Sequence, residues 1–360
     1  MFWCKECLVP STRPRIAFKD GICNACWHHK TKIDGTINWK ERWQELTNLC
    51  NKYRHVKPFN VVVPVSGGKD STFVAWNLKY HPDLRMNPLT VTFREPMPTL
   101  IGKCNLENFI LSGFDHIFIS PNQESYRKYN KDWFISQGMP KQAFVCGIST
   151  SVLRLAIQFD IPFIMWGEYG EAEYGGKDEH LMKSNRDFLI NIYYEGQDNC
   201  EKYGPWWKIP EQQDLDKIVS TWYSYFVDWD PEEHAKFAKE KVNFQTQVGG
   251  SIGTFTNYSQ LSCCLQDLHC YLMFLKFGFG RCTSDASIEI RRGRLSREEG
   301  VKAVNALDGQ FPVEYLEAYL GYFEMTPQEF WEVIDNFANR ELLERTGRIE
   351  KPWILKEPVC

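Results

Sequence analysis

The sequence predicts an α/β protein built on a mainly parallel sheet, with an N-terminal cysteine-rich module and a mainly helical C-terminal region. Three observations predict this class. Short apolar segments alternate with helical ones in the first half of the chain, two cysteine pairs lie near the N-terminus, and helix-start signals dominate the last third. We therefore expect domains at residues 1–35, 36–205 and 206–360.

The apolar segments of the middle region have the length and the β-branched composition of strands. The chain between them is dozens of residues long and helical in pattern, which is the connection that parallel strands require. The predicted strands are Asn60–Val65, Leu89–Phe93, His116–Ile119 and Pro162–Trp166, and the predicted helices are Trp39–Arg54, Thr72–Lys79, Asn105–Leu111 and Ser151–Gln158.

Helix-start signals recur in the C-terminal region. Asp230, Ser296 and Thr326 are each followed by glutamates in the first helical turn, and the first and last are followed directly by proline. The region is therefore predicted to be mainly helical, with a substrate- or partner-binding role.

The charge of the chain is nearly balanced, with 42 Lys and Arg against 46 Asp and Glu. A protein that binds a nucleic-acid backbone usually carries a basic excess, so this balance argues against such a partner. No signal peptide is visible, and the longest apolar stretches, Val61–Val65 and Ile161–Trp166, are too short to span a bilayer. We expect a cytoplasmic protein with no membrane association, whose cysteines are thiols or metal ligands.

The segment SGGKDS at residues 66–71 lies between a predicted strand and a predicted helix. The two glycines allow the backbone to approach an anion closely, and the amides at the helix start can grip a phosphate. Asp70 suits Mg²⁺, and a glycine turn without a nucleotide role is the alternative. The predicted nucleotide-binding residues are Ser66, Gly67, Gly68, Lys69, Asp70, Ser71 and, in the neighbouring strand, Thr92.

Two CxxC pairs, Cys4 with Cys7 and Cys23 with Cys26, have the spacing of a four-cysteine zinc site. Each pair can supply two thiolates from one turn, so the four can surround one ion and leave no open position. We predict structural Zn²⁺ here. A redox role or an iron–sulfur cluster is the alternative.

Three glutamates follow the predicted strand that ends at Trp166. Ligands of open α/β sheets lie beyond the carboxyl ends of strands, so Glu168, Glu171 and Glu173 are candidates for binding Mg²⁺, holding an amine or moving protons. A solvated acidic loop is the alternative reading.

The C-terminal region carries cations beside glycines. Lys276, Arg281 and Arg291 are the predicted substrate-binding residues, because such cations suit a phosphate or carboxylate. A solvated basic face is the alternative, above all for Arg292 and Arg294.

SGGKDS resembles the signature of the PP-loop ATP pyrophosphatases, which have an adenine nucleotide alpha hydrolase-like fold. Together with the cysteine pairs, the glutamate-rich turn, KFGFGR at residues 276–281 and the following IRRG, it resembles the N-acetyl sugar amidotransferase family, and the resemblance covers nearly the whole chain. One departure is Ala143, where the family would have a cysteine before Cys146.

The resemblance implies that ATP adenylylates an acetamido oxygen of a bacterial surface sugar, such as a pseudaminic acid or O-antigen precursor. Ammonia then displaces AMP to give an acetamidino group. Lys69, Asp70 and the three glutamates would be catalytic, with ATP and Mg²⁺ required. The chain shows no recognisable glutaminase nucleophile, and the family implies a separate glutaminase and a cyclase-like barrel as the ammonia source.

Two other functions remain open from the sequence. The first is a PP-loop enzyme that modifies tRNA by thiolation or lysidine formation, for which a basic face is expected. The second is a non-catalytic zinc-ribbon interaction protein, which would leave the intact loop at 66–71 unexplained.

Overall fold

The computed structural model describes residues 1–175, 186–192, 194 and 200–360, with the backbone alone for residues 171, 172, 188 and 192. The strands are β1 Phe18–Lys19, β2 Ile22–Cys23, β3 Val61–Pro64, β4 Pro88–Phe93, β5 Asp115–Ile119, β6 Phe163–Trp166, β7 Val219–Trp222, β8 Leu343–Arg345 and β9 Trp353–Leu355.

Helices make up most of the remaining described chain. The α-helices are α1 Asn24–Ile33, α2 Trp39–Tyr53, α3 Lys69–Tyr80, α4 Leu100–Leu111, α5 Gln123–Gln137, α6 Gln142–Gln158, α7 Gly170–Tyr174, α8 Arg186–Ile192, α9 Gln212–Leu215, α10 Pro231–Val242, α11 Cys264–Phe277, α12 Arg281–Arg291, α13 Arg297–Leu307, α14 Leu316–Phe323 and α15 Pro327–Asn336. Short 3₁₀ turns lie at Cys200–Tyr203, Pro205–Trp207, Tyr223–Tyr225 and Val313–Tyr315.

The central sheet has five parallel strands in the order β5-β4-β3-β6-β7. The chain runs outward from β3 through β4 to β5, and then crosses back to place β6 on the other side of β3. Val62 accordingly pairs with Leu89 on one side and with Ile164 on the other. Because the strand order reverses between β3 and β6, a crevice is expected beyond their carboxyl ends.

Alternate residues of β3 face opposite layers of the core. Val62 packs in one cluster with Phe93 and the aromatic residues of α5, whereas Val61 and Val63 pack in a second cluster with residues of α2 and α3. Both faces of the strand are therefore buried, and this explains why a continuous apolar run marked it in the sequence. The predicted α/β class with a parallel sheet is confirmed.

The fifth strand, β7, was not predicted from the sequence. It pairs with β6 in parallel, from Val219 opposite Phe163 to Trp222 opposite Trp166. The sheet therefore extends past the expected domain boundary at residue 205. The segment has neither an apolar run nor a clear alternation, because β7 is an edge strand with one paired neighbour.

The C-terminal region is helical and has its own core. Phe274, Tyr319, Phe330 and Trp353 pack there, and the β8–β9 hairpin closes it. The three predicted caps are present: Asp230 accepts from the amide of Glu232, and Ser296 and Thr326 each form a complete capping box. Among the described residues, no helix combines the length and the apolar character that a bilayer crossing needs.

The N-terminal module consists of the β1–β2 hairpin and α1. Its small core contains the four free cysteines of the two CxxC motifs. It packs against the sheet domain and the C-terminal region. Lys32 on α1 forms a buried ion pair with Glu173 on α7 at 2.5 Å, and the amide of Leu8 donates to the Ser287 hydroxyl on α12.

Candidate nucleotide-binding and catalytic site

The main pocket opens beyond the carboxyl ends of β3 and β6, where the strand order reverses. Four parts of the chain meet in it: the SGGKDS loop, α4, the turn after β6, and the C-terminal region. Its lining residues are Ser66, Gly67, Gly68, Lys69, Asp70, Gly102, Asn105, Glu168, Tyr174, Pro231, Phe244, Tyr258, Ser259, Gln260, Leu261, Ser262, Gln266, Arg281, Asp285, Ile288 and Glu289.

The loop turns sharply at Gly67. Its φ of +75° lies in the left-handed region, and a Cβ added there would lie 2.5 Å from the backbone of Leu106 on α4. Glycine is therefore required both by conformation and by space. The two serines brace the turn, because Ser66 Oγ accepts from the Gly68 amide and Ser71 Oγ accepts from the Ser66 amide, each at 3.3 Å.

The first turn of α3 follows the loop directly. Gly68 is the N-cap residue and provides no side-chain acceptor, so the amides at the start of the helix lack a side-chain cap. These amides and the positive end of the helix dipole suit a phosphate group. The loop and α3 together therefore form an anion-binding corner of the main pocket.

Lys69, Asp70 and His234 form a charged cluster at this corner. The Lys69 ammonium lies 2.5 Å from Asp70 Oδ2, and His234 Nδ1 lies 2.8 Å from Asp70 Oδ1. Burial alone raises the pKa of Asp70, but Lys69 and His234 outweigh it and hold the pKa below the ordinary value. Asp70 is thus ionised, and His234 donates to it.

Glu168 faces the main pocket from the turn after β6. Its Oε1 accepts from the indole Nε1 of Trp229 at 3.2 Å. Burial, and then the negative charges of Asp70 and Glu173, raise the pKa of Glu168 to about 7. A carboxyl that titrates near neutrality is suited to take up and release protons during a reaction.

Arg281 enters the main pocket from the first turn of α12. It forms a 2.8 Å ion pair with buried Asp285, and its Nη2 also donates to Ser259 Oγ at 3.2 Å. Asp285 in turn accepts from the hydroxyls of Thr254 and Thr256. The guanidinium is held in one orientation by this network, which gives the pocket a fixed polar wall opposite the loop.

The structure brings part of the predicted site together. The predicted residues that line the main pocket are Ser66, Gly67, Gly68, Lys69, Asp70, Glu168 and Arg281. Ser71 lies behind the loop as a brace, and the predicted position Glu171 has a side chain outside the described part of the structure.

Four other predicted residues lie elsewhere. Thr92 is buried in β4 and donates to the carbonyl of Val65, so it joins two strands and does not line the main pocket. Lys276 donates to the carbonyls of Gln137 and Gly138 at the end of α5.

Glu173 and Arg291 face the N-terminal module. Glu173 is paired with Lys32, and Arg291 Nη2 donates to the Glu173 carbonyl at 3.0 Å. Neither residue lines the main pocket. Both line a smaller recess beside it, which also contains Glu168.

Several pocket residues were not predicted from the sequence. Asp285 lines the main pocket as the partner of Arg281, and segment 258–262 follows the glycine loop at 249–257. His234 does not line the pocket itself but binds the pocket residue Asp70. The capping signal at Asp230 placed a helix start four residues before His234, but nothing local to the histidine pointed to Asp70. Its role depends on the packing of α10 against α3.

The four cysteines of the N-terminal module lie together and are buried. All four sulfurs lie within 4.8 Å of one another, with 3.8 Å between Cys4 and Cys26 and 3.6 Å between Cys7 and Cys23. A tetrahedral ion bound at about 2.3 Å holds its sulfurs about 3.8 Å apart. The cluster could therefore hold one metal ion, and the donor set and spacing fit it.

The comparison with protein families is informative for the C-terminal region. Residues 252–353, which include Arg281 and Asp285, match a family described as LPS biosynthesis protein WbpG-like, C-terminal domain. Residues 252–353 are therefore similar to this family, and we call them the WbpG-like region. This match confirms the resemblance to surface-polysaccharide biosynthesis proteins, and the parallel sheet with SGGKDS between β3 and α3 confirms the expected PP-loop fold.

Two solved structures show weak similarity to the chain. A predicted subunit of tRNA methyltransferase from Methanocaldococcus jannaschii is 17% identical over 59% of this chain and 86% of its own, with a TM-score of 0.31. The U34-tRNA thiolase NcsA from Methanococcus maripaludis, solved with its 4Fe-4S cluster, is 13% identical over 82% and 87%, with a TM-score of 0.33. Such low similarity says nothing of what this chain binds. No curated protein matches the chain.

Proposed function

We propose that the chain is an ATP-dependent amidotransferase that converts the N-acetyl group of a surface-polysaccharide sugar precursor into an acetamidino group. One observation carries the proposal: the loop of the PP-loop fold and the WbpG-like region line the same pocket, with Glu168 between them. A nucleotide and a second substrate can therefore meet there.

In this proposal the triphosphate binds at the loop. The amides at the start of α3 hold the departing pyrophosphate, and the Lys69 ammonium offsets its charge. Asp70 is the carboxylate whose oxygens suit Mg²⁺, which would supply further charge compensation on the phosphates. His234 keeps Asp70 ionised and oriented for this role.

The chemistry has two steps. The acetamide oxygen attacks the α phosphorus, an O–P bond forms, and the α–β anhydride breaks to release pyrophosphate. This converts a poor leaving group into AMP. Ammonia then adds to the imidate carbon, a C–N bond forms, and the C–O bond to AMP breaks to leave the amidine.

Glu168 is the proposed base of the second step. Ammonia that has added to the imidate carbon carries a surplus proton, and a carboxylate with a pKa of about 7 is ionised in a useful fraction at neutral pH. Because Glu168 lies on the wall between the loop and α12, it can reach a carbon held between them.

The sugar is proposed to bind against α12 and segment 258–262. This side of the pocket offers hydroxyl, amide and guanidinium groups from Ser259, Gln260 and Arg281, which suit sugar hydroxyls and a carboxylate or phosphate substituent. Lys276 is not proposed to take part, because it binds the end of α5.

The four-cysteine cluster is proposed to hold structural Zn²⁺. In a cluster of four irons, each cysteine sulfur would bind a different iron, so the sulfurs would lie farther apart than the close pairs seen here. One tetrahedral ion fits the observed distances between the sulfurs. We further propose that the reaction takes place in the cytoplasm and that a separate glutaminase and cyclase-like barrel supply the ammonia.

The test is incubation of the purified chain with ATP, Mg²⁺, an ammonium salt and candidate diacetamido sugars. Release of AMP and pyrophosphate with replacement of oxygen by NH in the sugar, seen by mass, is the expected result. Lys69→Ala serves as the inactive control. Release of ADP and orthophosphate would overturn the proposal, and AMP release that depends on tRNA would favour the nucleic-acid enzyme instead. An absence of ATP turnover with any of these substrates would favour the interaction protein.

A further inference from the structure

A side recess lies between the main pocket and the N-terminal module. It lies between α1, α7 and α12, and it shares Glu168, Pro231 and Ile288 with the main pocket. His29 of α1 lines it on the side of the cysteine module. The recess therefore has the proposed base on one side and the N-terminal module on the other.

The recess is small. Its volume of about 10 Å³ is close to what the centre of one water-sized molecule requires. A sugar or a nucleotide cannot enter such a space. Ammonia is of the size of water and can.

Arg291, which lines the recess, has an unused hydrogen-bond donor. Arg291 donates through Nη2 to the Glu173 carbonyl, but its buried Nη1 has no hydrogen-bond partner in the described part of the chain. A buried donor without a partner is costly, so a small acceptor in the recess would stabilise it. Neutral ammonia offers one lone pair for this bond.

Two of the charged residues around the recess are paired with opposite charges, and a third is a cation. The Glu173 carboxylate is neutralised by Lys32 at 2.5 Å, and Arg292 is paired with Asp228 through two bonds of 2.7 Å. The Arg291 guanidinium lies on the wall as well, and it repels a cation at this short range.

We propose that the side recess is the route by which neutral ammonia enters the main pocket and reaches the adenylylated amide. The proposal rests on the proposed function. Ammonia passes His29, is held by Arg291 Nη1, and arrives beside Glu168, which takes the proton that is released as the C–N bond forms. Burial, Arg292 and Arg291 lower the pKa of His29 to about 4, so its ring is neutral at neutral pH and adds no positive charge.

The recess can be tested by filling it. His29→Trp places a larger ring at its outer side, and Ile33→Trp on the same helix is the control, because Ile33 is 71% exposed. We expect the KM for ammonium to rise roughly tenfold or more in His29→Trp, with the KM for ATP unchanged. Because water then competes for the activated amide, AMP should be released in excess over amidine.

A second variant enlarges the recess. His29→Ala should let methylamine act as a nucleophile and give the N-methyl amidine, which the wild type should form at a much lower rate. Metal content and thermal unfolding show whether each variant is folded. An unchanged KM for ammonium in folded His29→Trp, or no gain of methylamine use in folded His29→Ala, overturns the recess as the route. Absence of amidine from the wild-type reaction instead overturns the proposed function itself.

Discussion

Gly67 shows how much of the loop depends on one missing Cβ. Its φ of +75° is costly for other residues, and the backbone of Leu106 occupies the space where a side chain would begin. At Gly68, by contrast, an added Cβ would meet only Ser66 Oγ at 3.1 Å, and φ is −78°. The two neighbouring glycines therefore have different roles.

We predict that Gly67→Ala is destabilised by about 1–3 kcal/mol and loses most AMP release, because the loop must move away from α4. Gly68→Ala should lose less stability and less AMP release. Thermal unfolding and initial rates of pyrophosphate release measure the difference. Equal losses in the two variants would contradict the structural distinction between them.

Glu168 sets the pH dependence that we expect. Its pKa is raised to about 7 by burial and by the charges of Asp70 and Glu173, and the proposed base is active as the carboxylate. Amidine formation at saturating ammonia should therefore rise with pH and level off above about 7.

Glu168→Gln should lower kcat for amidine formation by about 10²–10⁴-fold. It should also remove the rise of this rate with pH below about 7. Burst measurements of pyrophosphate release should show that adenylylation is less affected, because the base acts in the second step. A wild-type rate that falls as pH rises through 7 at fixed free ammonia would contradict the assignment.

Residue types at the loop could be predicted because their requirement is local. A phosphate loop of this kind requires a glycine turn, a helix start and a cation, and the six consecutive residues SGGKDS supply all three. Lys276 illustrates the opposite case. It stands beside glycines as Arg281 does, but it lies on the last turn of α11 and binds carbonyls of α5, so sequence context alone could not separate the two.

Helix α10 contributes directly to the site through its contact with α3. It packs against α3, and His234 on its first turn stacks on Phe73 at 4.0 Å and binds Asp70 at 2.8 Å. One side chain therefore serves both the packing of the two helices and the orientation of the acid.

Two variants can separate these roles. His234→Phe keeps an aromatic ring against Phe73 but removes the hydrogen bond to Asp70, whereas His234→Ala also leaves a cavity. We predict that both lower the rate of pyrophosphate release roughly tenfold or more, which is about 1.4 kcal/mol of barrier. Only His234→Ala should also lower the melting temperature strongly. Full activity in His234→Phe would show that the contact with Asp70 is dispensable.

The helices expected in the first half of the chain are present, but several begin earlier than the sequence pattern indicated. The helix expected at Thr72–Lys79 begins at Lys69, and the helix expected at Ser151–Gln158 begins at Gln142. In α6 the earlier turns contain Gly147 and several hydroxyl residues, which weakened the helical pattern there. Packing of those turns against the sheet stabilises them in the folded chain.

At the scale of the whole molecule, the N-terminal module forms part of the proposed active centre. Helix α1 begins directly after Cys23 and contains Cys26, and it supplies both Lys32 for Glu173 and His29 for the side recess. The metal that we propose would thus fix the helix that lines the recess.

We predict that Cys23→Ser, or prolonged treatment with a strong chelator, releases the bound zinc and makes the N-terminal module sensitive to proteolysis. A segment this short cannot bury enough apolar surface to fold without its ion. Cys104→Ser is the matched control, because Cys104 is exposed and distant in sequence from the cluster. Metal analysis and limited proteolysis are the measurements. Retention of zinc in Cys23→Ser, or its loss in Cys104→Ser, would contradict the assignment.

The sequence by itself determined the features whose causes are local. These are the α/β alternation, the phosphate loop, the capped C-terminal helices and the spacing of the four cysteines. In each of them the residues that interact lie near one another in the sequence. Only the tertiary structure decided which side chains share the main pocket. The reversal of strand order between β3 and β6 sets where the crevice opens, α12 brings Asp285 into it, and the packing of α10 on α3 brings His234 against Asp70. The contact between His234 and Asp70 joins residues 164 positions apart, and no local pattern in the sequence predicts it.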